Sequence, residues 1–419
     1  MTKEAQPSEA AHPRRTGLRE SAALLQPELV ALRRALHQEP EIGLDLPLTQ
    51  AKVLAALDGL PLEISLGKRL SSVTAVLRGA RPGPTVLLRA DLDALPVQET
   101  SGLPYASKIP GVMHACGHDL HTAGLVGAVR MLCERREELA GSVVFMFQPG
   151  EEGSDGARIM IEEGVLTASG ELPVAAYALH VGASVLPHGW VATRPGPIMA
   201  AADSMKVTVR GRGGHGSSPH LALDPVPAAC EAVTALQTMV TRRFDAFDPV
   251  VVTVGSFHAG TVGNVIPDEA VFEATIRSFS PEARERVLAE APAVVRGVGE
   301  AHGMTVEAVA EEGYPVTVND PDQAAYVAET AQGLLGKDRY IEMPRPVAGS
   351  EDFAVVGDHV PSAYFMLGAC PPDLNPFTAA YNHSPEALFD DAVLGDGAAL
   401  LAELALGRLS GPEPAAEAR

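Results

Sequence analysis

The 419-residue sequence predicts an α/β protein: a central mixed sheet flanked by helices, with a smaller ferredoxin-like βαββαβ unit inserted into it. Three observations predict this. Short apolar runs at 85–88, 143–147 and 175–179 each end in a polar cluster, the habit of buried, often parallel strands. The stretch 201–313 changes style and reads strand, helix, strand, strand, helix, strand. The chain is also longer than one compact core usually supports, so two domains are expected.

The elements follow in order. Residues 1–18 are rich in Ala, Glu and Pro without a period, and read as a loose tail, as do residues 411–419. Residues 19–200 form the first part of the catalytic domain, beginning with a helix that carries His37. Its strands at 85–88, 143–147 and 175–179 are followed by Asp91 and Asp93, by Glu151 and Glu152, and by His180. Ligands in open α/β sheets bind beyond the carboxyl ends of strands, where all three clusters fall. In the inserted lid, 201–313, Met205, Val207 and Val209 alternate with polar residues as in a half-buried strand. Helices are expected at 225–239 and 281–302, and strands at 250–257, 271–276 and 305–309. The catalytic domain resumes at 314 and runs to 410.

Composition excludes several function classes. With 53 acidic and 32 basic side chains the formal charge is −21, which disfavours nucleic acid and anionic membrane surfaces as partners. No uncharged apolar run reaches the roughly 18 residues of a transmembrane helix, and the first 20 residues hold no apolar core of a signal peptide. A cytoplasmic location is expected. Four cysteines in a chain of this length make no disulfide framework; Cys133, Cys230 and Cys370 read as small buried apolar residues.

The segment 111–122, G-V-M-H-A-C-G-H-D-L-H-T, carries the most chemistry. His114, Cys116, His118 and His121 with Asp119 lie within eight residues at the start of a helix that Asp119 or Thr122 could cap. Thiol and imidazole together suit zinc-like metals. The plain alternative is a helix end that happens to be polar. In Q-P-G-E-E-G, Glu151 and Glu152 follow a strand. On an extended chain their side chains point opposite ways, so one can bind metal while the other faces substrate as a base. A solvated acidic turn is the plain reading, and the buried strand before it argues against that. His180 and His383 would each be ordinary structural histidines alone. With Cys116, His118 and Glu152 they complete five ligands, enough for two ions sharing one site.

The chain resembles the M20 metallopeptidase family, in its amidohydrolase branch of hippurate, N-acyl-amino-acid and auxin-conjugate hydrolases. The matching strings include R-A-D-L-D-A-L-P, M-H-A-C-G-H-D-L-H-T, Q-P-G-E-E-G, A-L-H-V-G, G-G-H-G-S-S-P-H, N-V-I-P-D-E-A, T-I-R-S-F and S-E-D-F, spread from about Arg33 to Ala405. The resemblance implies a dinuclear site on Cys116, His118, Glu152, His180 and His383, with Glu151 as the catalytic carboxylate. It implies cleavage of the amide bond of N-acyl amino acids by metal-activated water. The ions expected are Mn²⁺ or Zn²⁺, with Co²⁺ or Ni²⁺ as further candidates. Asp91 and Asp93 are expected to orient metal-bound imidazoles rather than sit beside the ions, and Asp119 and His121 to have the same status. The resemblance also implies a homodimer, or a homotetramer, joined through the inserted domain. It places His215 in a partner's active site as an oxyanion donor, and Arg277 with Asn264 on the substrate's free carboxylate.

Rival readings are weaker. Gly211–Gly216, G-R-G-G-H-G, matches a dinucleotide fingerprint, but no helix opens directly after it and no acidic residue ends a second strand downstream. A Cys116 nucleophile with His118 as base leaves the other ligand-type residues unexplained. A silent metal-binding protein has no need of Glu151. A dipeptidase or aminopeptidase of the same family remains an alternative within the class.

Overall fold

The computed structural model describes residues 17–410. The expected tails lie outside that range except for Gly17 and Leu18, and Leu18 is no tail residue: it opens helix α1 (Leu18–Gln38) and is buried in the core. Helix α2 (Pro47–Leu57) follows.

The main sheet then begins with β1 (Glu63–Leu66), β2 (Val73–Arg78) and β3 (Arg81–Asp91). Helix α3 (His118–Glu134) leads to β4 (Ala140–Gln148), and α4 (Gly156–Glu162) to β5 (Ala175–Gly182), β6 (Val191–Thr193) and β7 (Gly196–Met199). The three apolar runs legible in the sequence are β3, β4 and β5. They lie side by side in the order β4-β3-β5, all parallel, so their polar sequels meet at one edge.

Between β7 and the return of the chain stand β8 (Ala201–Arg210), β9 (Gly214–His215), α5 (Pro225–Arg243), β10 (Val250–Ala259), β11 (Val265–Ile266), β12 (Glu269–Ser278), α6 (Pro281–Ala301) and β13 (Thr305–Tyr314). Strands β10-β12-β8-β13 form an antiparallel four-stranded sheet in the split βαββαβ order. One face packs on α5 and α6 around Val207, Leu236, Phe272, Ile276 and Val295, and the other, with Ser204, Lys206, Glu273 and Thr275, is open. Both helices start where a proline follows a capping side chain: Asp224 accepts from Val226 N–H and Ser280 from Ala283 N–H. Each cap contributes about 1 kcal/mol.

The chain returns through β14 (Thr317–Asn319), α7 (Pro321–Leu335), β15 (Tyr340–Glu342), α8 (Ala354–Gly357), β16 (Ser362–Gly368) and α9 (Leu394–Leu409). Strand β16 inserts between β5 and β6, parallel to the first and antiparallel to the second, and completes an eight-stranded mixed sheet, β1-β2-β4-β3-β5-β16-β6-β15. Alternation in β3 and β4 sends Leu88, Phe145 and Phe147 into a core with α1, α3 and α9, and Leu87, Val144 and Met146 into a second core on the opposite face.

Helix α3 is buried along most of its length, which its apolar residues on every side explain. It starts at Gly117, in the left-handed region at φ 87°, with no side-chain cap, so neither Asp119 nor Thr122 caps it. A Cβ at Gly117 would stand 2.4 Å from a Val181 methyl on β5, so glycine is what lets the helix end lie directly on that strand. Among the described residues no helix is long and apolar enough to cross a membrane. Of the cysteines expected to be buried, Cys370 is, Cys133 is half-buried and Cys230 is exposed on α5.

Candidate metal centre and catalytic carboxylate

The five expected ligands converge. Cys116 Sγ lies 3.3 Å from His180 Nε2 and 3.3 Å from His383 Nε2, and His383 Nε2 lies 3.1 Å from a Glu152 oxygen. His118 Nε2 stands 3.9 Å from a carboxylate oxygen of both Glu151 and Glu152. Cys116, His118 and His180 form one compact group of potential ligand atoms, and Cys116, Glu152 and His383 another, with the thiol common to both. The floor is buried at His118 and Glu151, while His383 is exposed, so the centre opens to solvent on one side.

Two of the three rings are aimed by the backbone. His118 Nδ1 bonds the Asp93 carbonyl at 2.8 Å, and His180 Nδ1 the Val181 carbonyl at 2.8 Å. Both therefore present Nε2 inward. His118 Nε2 is buried and has no hydrogen-bond partner, as expected of a nitrogen shaped for a cation. The donor set fits: one thiol, three imidazoles and a carboxylate suit ions that take N, O and S ligands.

Asp93 acts differently from expectation. Its carboxylate accepts from the N–H groups of Glu151 (2.9 Å) and Glu152 (3.0 Å), clamping both to the end of β3, while its carbonyl rather than its carboxylate aims His118. This clamp corrects the picture of an extended Glu-Glu pair. The two residues sit in a turn after β4, and both carboxylates face the same cluster. Asp91 binds His121 Nδ1 at 2.6 Å, and His121 Nε2 accepts from Val181 N–H, so His121 has no nitrogen left for a metal. Asp119 touches none of the five ligands: it is buried against Arg33 and His37, each at 2.7 Å, which ties α3 to α1.

Beneath the cluster lies Arg89, fully buried. It donates to Gln148, Asp91, Glu351 and Asp352. Glu351 also accepts from the Tyr364 hydroxyl, and Asp352 from Gln148 and Ala157 N–H. Glu151, Glu351 and Asp352 crowd together. Burial, then the charges of Glu351, Glu152 and Asp352, push the Glu151 carboxyl well above the usual range. Burial, opposed by Arg89 and aided by Glu351, takes Asp352 to about 8. Burial works against a charged His118, yet the Asp91 carboxylate outweighs it and holds its pKa well above the ordinary value. Burial pushes the Cys116 thiol up to about 12.

Sequence reasoning missed Asn382. Its Nδ2 donates to the carbonyls of Cys116 (3.3 Å) and Val181 (3.1 Å), and its Oδ1 accepts from Ala183 N–H (2.9 Å). One side chain thus joins the loops bearing Cys116 and His383 to the end of β5, which bears His180. His383 follows at φ 72°, a strained conformation for a residue with a Cβ, and its N–H donates to the Ala115 carbonyl. Only its place beside His383 in Y-N-H-S-P marked Asn382 out.

The residues expected on the lid divide. His215 on β9 pairs with Val265 on β11, and Gly216 N–H donates to the Asn264 carbonyl, so His215 and Asn264 are neighbours. Arg277 stands apart on the open face of β12, bonded to Thr275 and the Ile276 carbonyl. None of the three bonds the Cys116 cluster among the described residues.

The model of peptidase family M20/M25/M40 matches residues 87–407. The chain belongs to that family. It is 36% identical over 382 residues to thermostable carboxypeptidase 2 of Saccharolobus solfataricus, covering 90% of this chain and 94% of that one. It is 35% identical over 379 residues to N-acetylcysteine deacetylase of Bacillus subtilis, covering 90% and 96%. The crystal structure of Bacillus subtilis YXEP, described as a dinuclear metal binding peptidase from the M20 family, superposes with a TM-score of 0.80 at 33% identity, covering 92% of this chain and 99% of that one. The protein is therefore a hydrolase of the M20 amidohydrolase type.

Asn382→Ala leaves every candidate ligand residue in place but cuts the tie between the two loops and the strand that bear them. It is expected to weaken metal binding about 10–100-fold, the usual effect of removing a group that orients ligands, as measured by titration with a competing chelator. Unchanged affinity would show that the loops hold themselves.

Proposed function

We propose that this chain is a dinuclear N-acyl-amino-acid amidohydrolase with Cys116, His118, Glu152, His180 and His383 as ligands and Glu151 as general base. The observation that carries the reading is one buried carboxylate, Glu151, beside five converging ligand groups. Divalent ions held there, Mn²⁺ or Zn²⁺ foremost and Co²⁺ or Ni²⁺ as alternatives, would supply Lewis acidity to the amide carbonyl and to water. Glu151 takes the proton of the attacking water and returns it to the leaving amine. Its raised pKa suits both halves of that transfer. A Cys116 nucleophile is disfavoured because the buried thiol, at about 12, resists ionisation without a cation.

The substrate's carboxylate is assigned to Arg277 and Asn264. Arg277 forms no ion pair among the described residues, which leaves its guanidinium to a bidentate acid. His215 is assigned to the oxyanion. Ser217 N–H donates to its Nδ1 at 3.2 Å, which leaves Nε2 as the N–H donor. Since His215 makes no bond to the cluster of its own chain, the reading has it serve the partner of a homodimer.

Three outcomes follow. Glu151→Gln should retain the metals and lower kcat by at least about 10²-fold, whereas Glu152→Gln should lose metal; the reverse pattern in metal analysis would exchange their roles. Arg277→Ala should impair turnover of N-acyl amino acids far more than of the matching N-acyl amides, and equal losses would remove it from carboxylate binding. His215→Ala and Glu151→Gln should each be nearly inactive, and mixed with subunit exchange they should regain about a quarter of wild-type activity, because about half the dimers carry one intact site. Exchange without recovery would confine His215 to its own chain.

A further inference from the structure

The chain crosses twice between the eight-stranded sheet and the four-stranded one, and the crossings lie side by side. Tyr314, at the end of β13, pairs with Ala202, at the start of β8, just beyond a register shift after Glu311. A charged clamp holds them. Arg284 of α6 donates through Nη2 (2.7 Å) and Nε (3.0 Å) to the two oxygens of Asp203, and through Nη2 to the Gly313 carbonyl (3.1 Å). Gly313 N–H donates in turn to Asp203 at 3.0 Å.

The next residue reaches into the active centre. Tyr314 is buried, and its hydroxyl donates to the Glu151 carbonyl at 2.8 Å while accepting from Asp155 N–H at 3.1 Å. The turn is thus pinned from two sides: Asp93 holds the N–H groups of Glu151 and Glu152, and Tyr314 holds the carbonyl of Glu151. The turn also closes on itself, since Gly153 N–H donates to the same carbonyl at 2.7 Å. The hydroxyl is therefore not needed to form the turn. What it adds is attachment of the turn to the crossing.

We propose that Tyr314 is a positioning residue that couples the hinge of the inserted βαββαβ unit to Glu151, so that the base is held in place when the crossing has the arrangement clamped by Asp203 and Arg284. A lid movement is then felt at the catalytic carboxylate through one hydroxyl. The proposal rests on Glu151 being the base, and its test includes a readout that needs no substrate.

Tyr314→Phe removes the hydroxyl and keeps the ring. In the metal-loaded enzyme it is expected to lower kcat on an N-acyl amino acid about tenfold or more, with KM and metal content within about twofold, because a reacting group misplaced by ~1 Å costs up to about 10²-fold. Amide hydrogen exchange should quicken in residues 151–156 and stay unchanged in α3 and in the four-stranded sheet. Arg284→Lys, which touches no atom of the turn, should also quicken exchange at 151–156, and that effect should vanish in the Tyr314→Phe background. Exchange at 151–156 that ignores Arg284→Lys, or that responds equally with and without the hydroxyl, overturns the coupling. Loss of metal or faster exchange throughout the sheet in Tyr314→Phe would make the residue merely structural and equally overturn it. Wild-type enzyme inactive on every N-acyl amino acid would instead fell the proposed function, while the exchange experiment still decides the link.

Discussion

One buried guanidinium underlies the centre. Arg89 lies beneath the centre, where Glu351, Asp352 and Glu151 come within a few ångströms of one another away from water and Asp91 shares the same guanidinium. Buried carboxylates so close repel and tend to neutralise. Arg89 answers three of them directly and Gln148 bridges to Asp352, so the crowd is left with one carboxylate, Glu151, that the guanidinium does not touch. Its proton affinity is raised well above the usual range, and that of Asp352 is raised too. The buried network thus bears on the site's chemistry, since the charges of Glu351 and Asp352 are among those that raise Glu151. Breaking such a network by removing one partner costs about 3–5 kcal/mol, so these residues are bound to one another as tightly as to the fold.

The strands behind the site were legible because their apolar runs are short and each stops at a polar cluster, a pattern that local sequence alone displays. Of the candidate ligands, Glu152 and His180 stand just after those runs, whereas Cys116 and His118 show in the separate Cys/His segment at the start of α3. His383 was legible only as a member of the set, since its loop joins the others through Asn382 and Ala115, more than 190 residues away from β5. What stayed hidden is what depends on distant pairing. Arg89 sits inside a motif that was noted, yet its partners Glu351 and Asp352 come from the far side of the insertion. Tyr314 looked like a boundary residue. Asp119 looked like a helix cap, but Arg33 and His37 claim its carboxylate, and a left-handed glycine starts the helix instead. The adjacent glutamates were read as extended because nothing local announces that Asp93 will fold their backbone into a turn.

The position of β16 carries a consequence for how the protein is made. It lies at the middle of the sheet, between β5 and β6, yet about 180 residues separate its start from the end of β5. At about 5–20 residues per second of synthesis, β5 waits on the order of ten to forty seconds for that neighbour, with its backbone groups unpaired on one side. Meanwhile the intervening four-stranded unit, which has a core of its own, can fold first. The nascent chain can therefore carry a folded four-stranded unit beside an open sheet edge, a state that invites pairing with another copy.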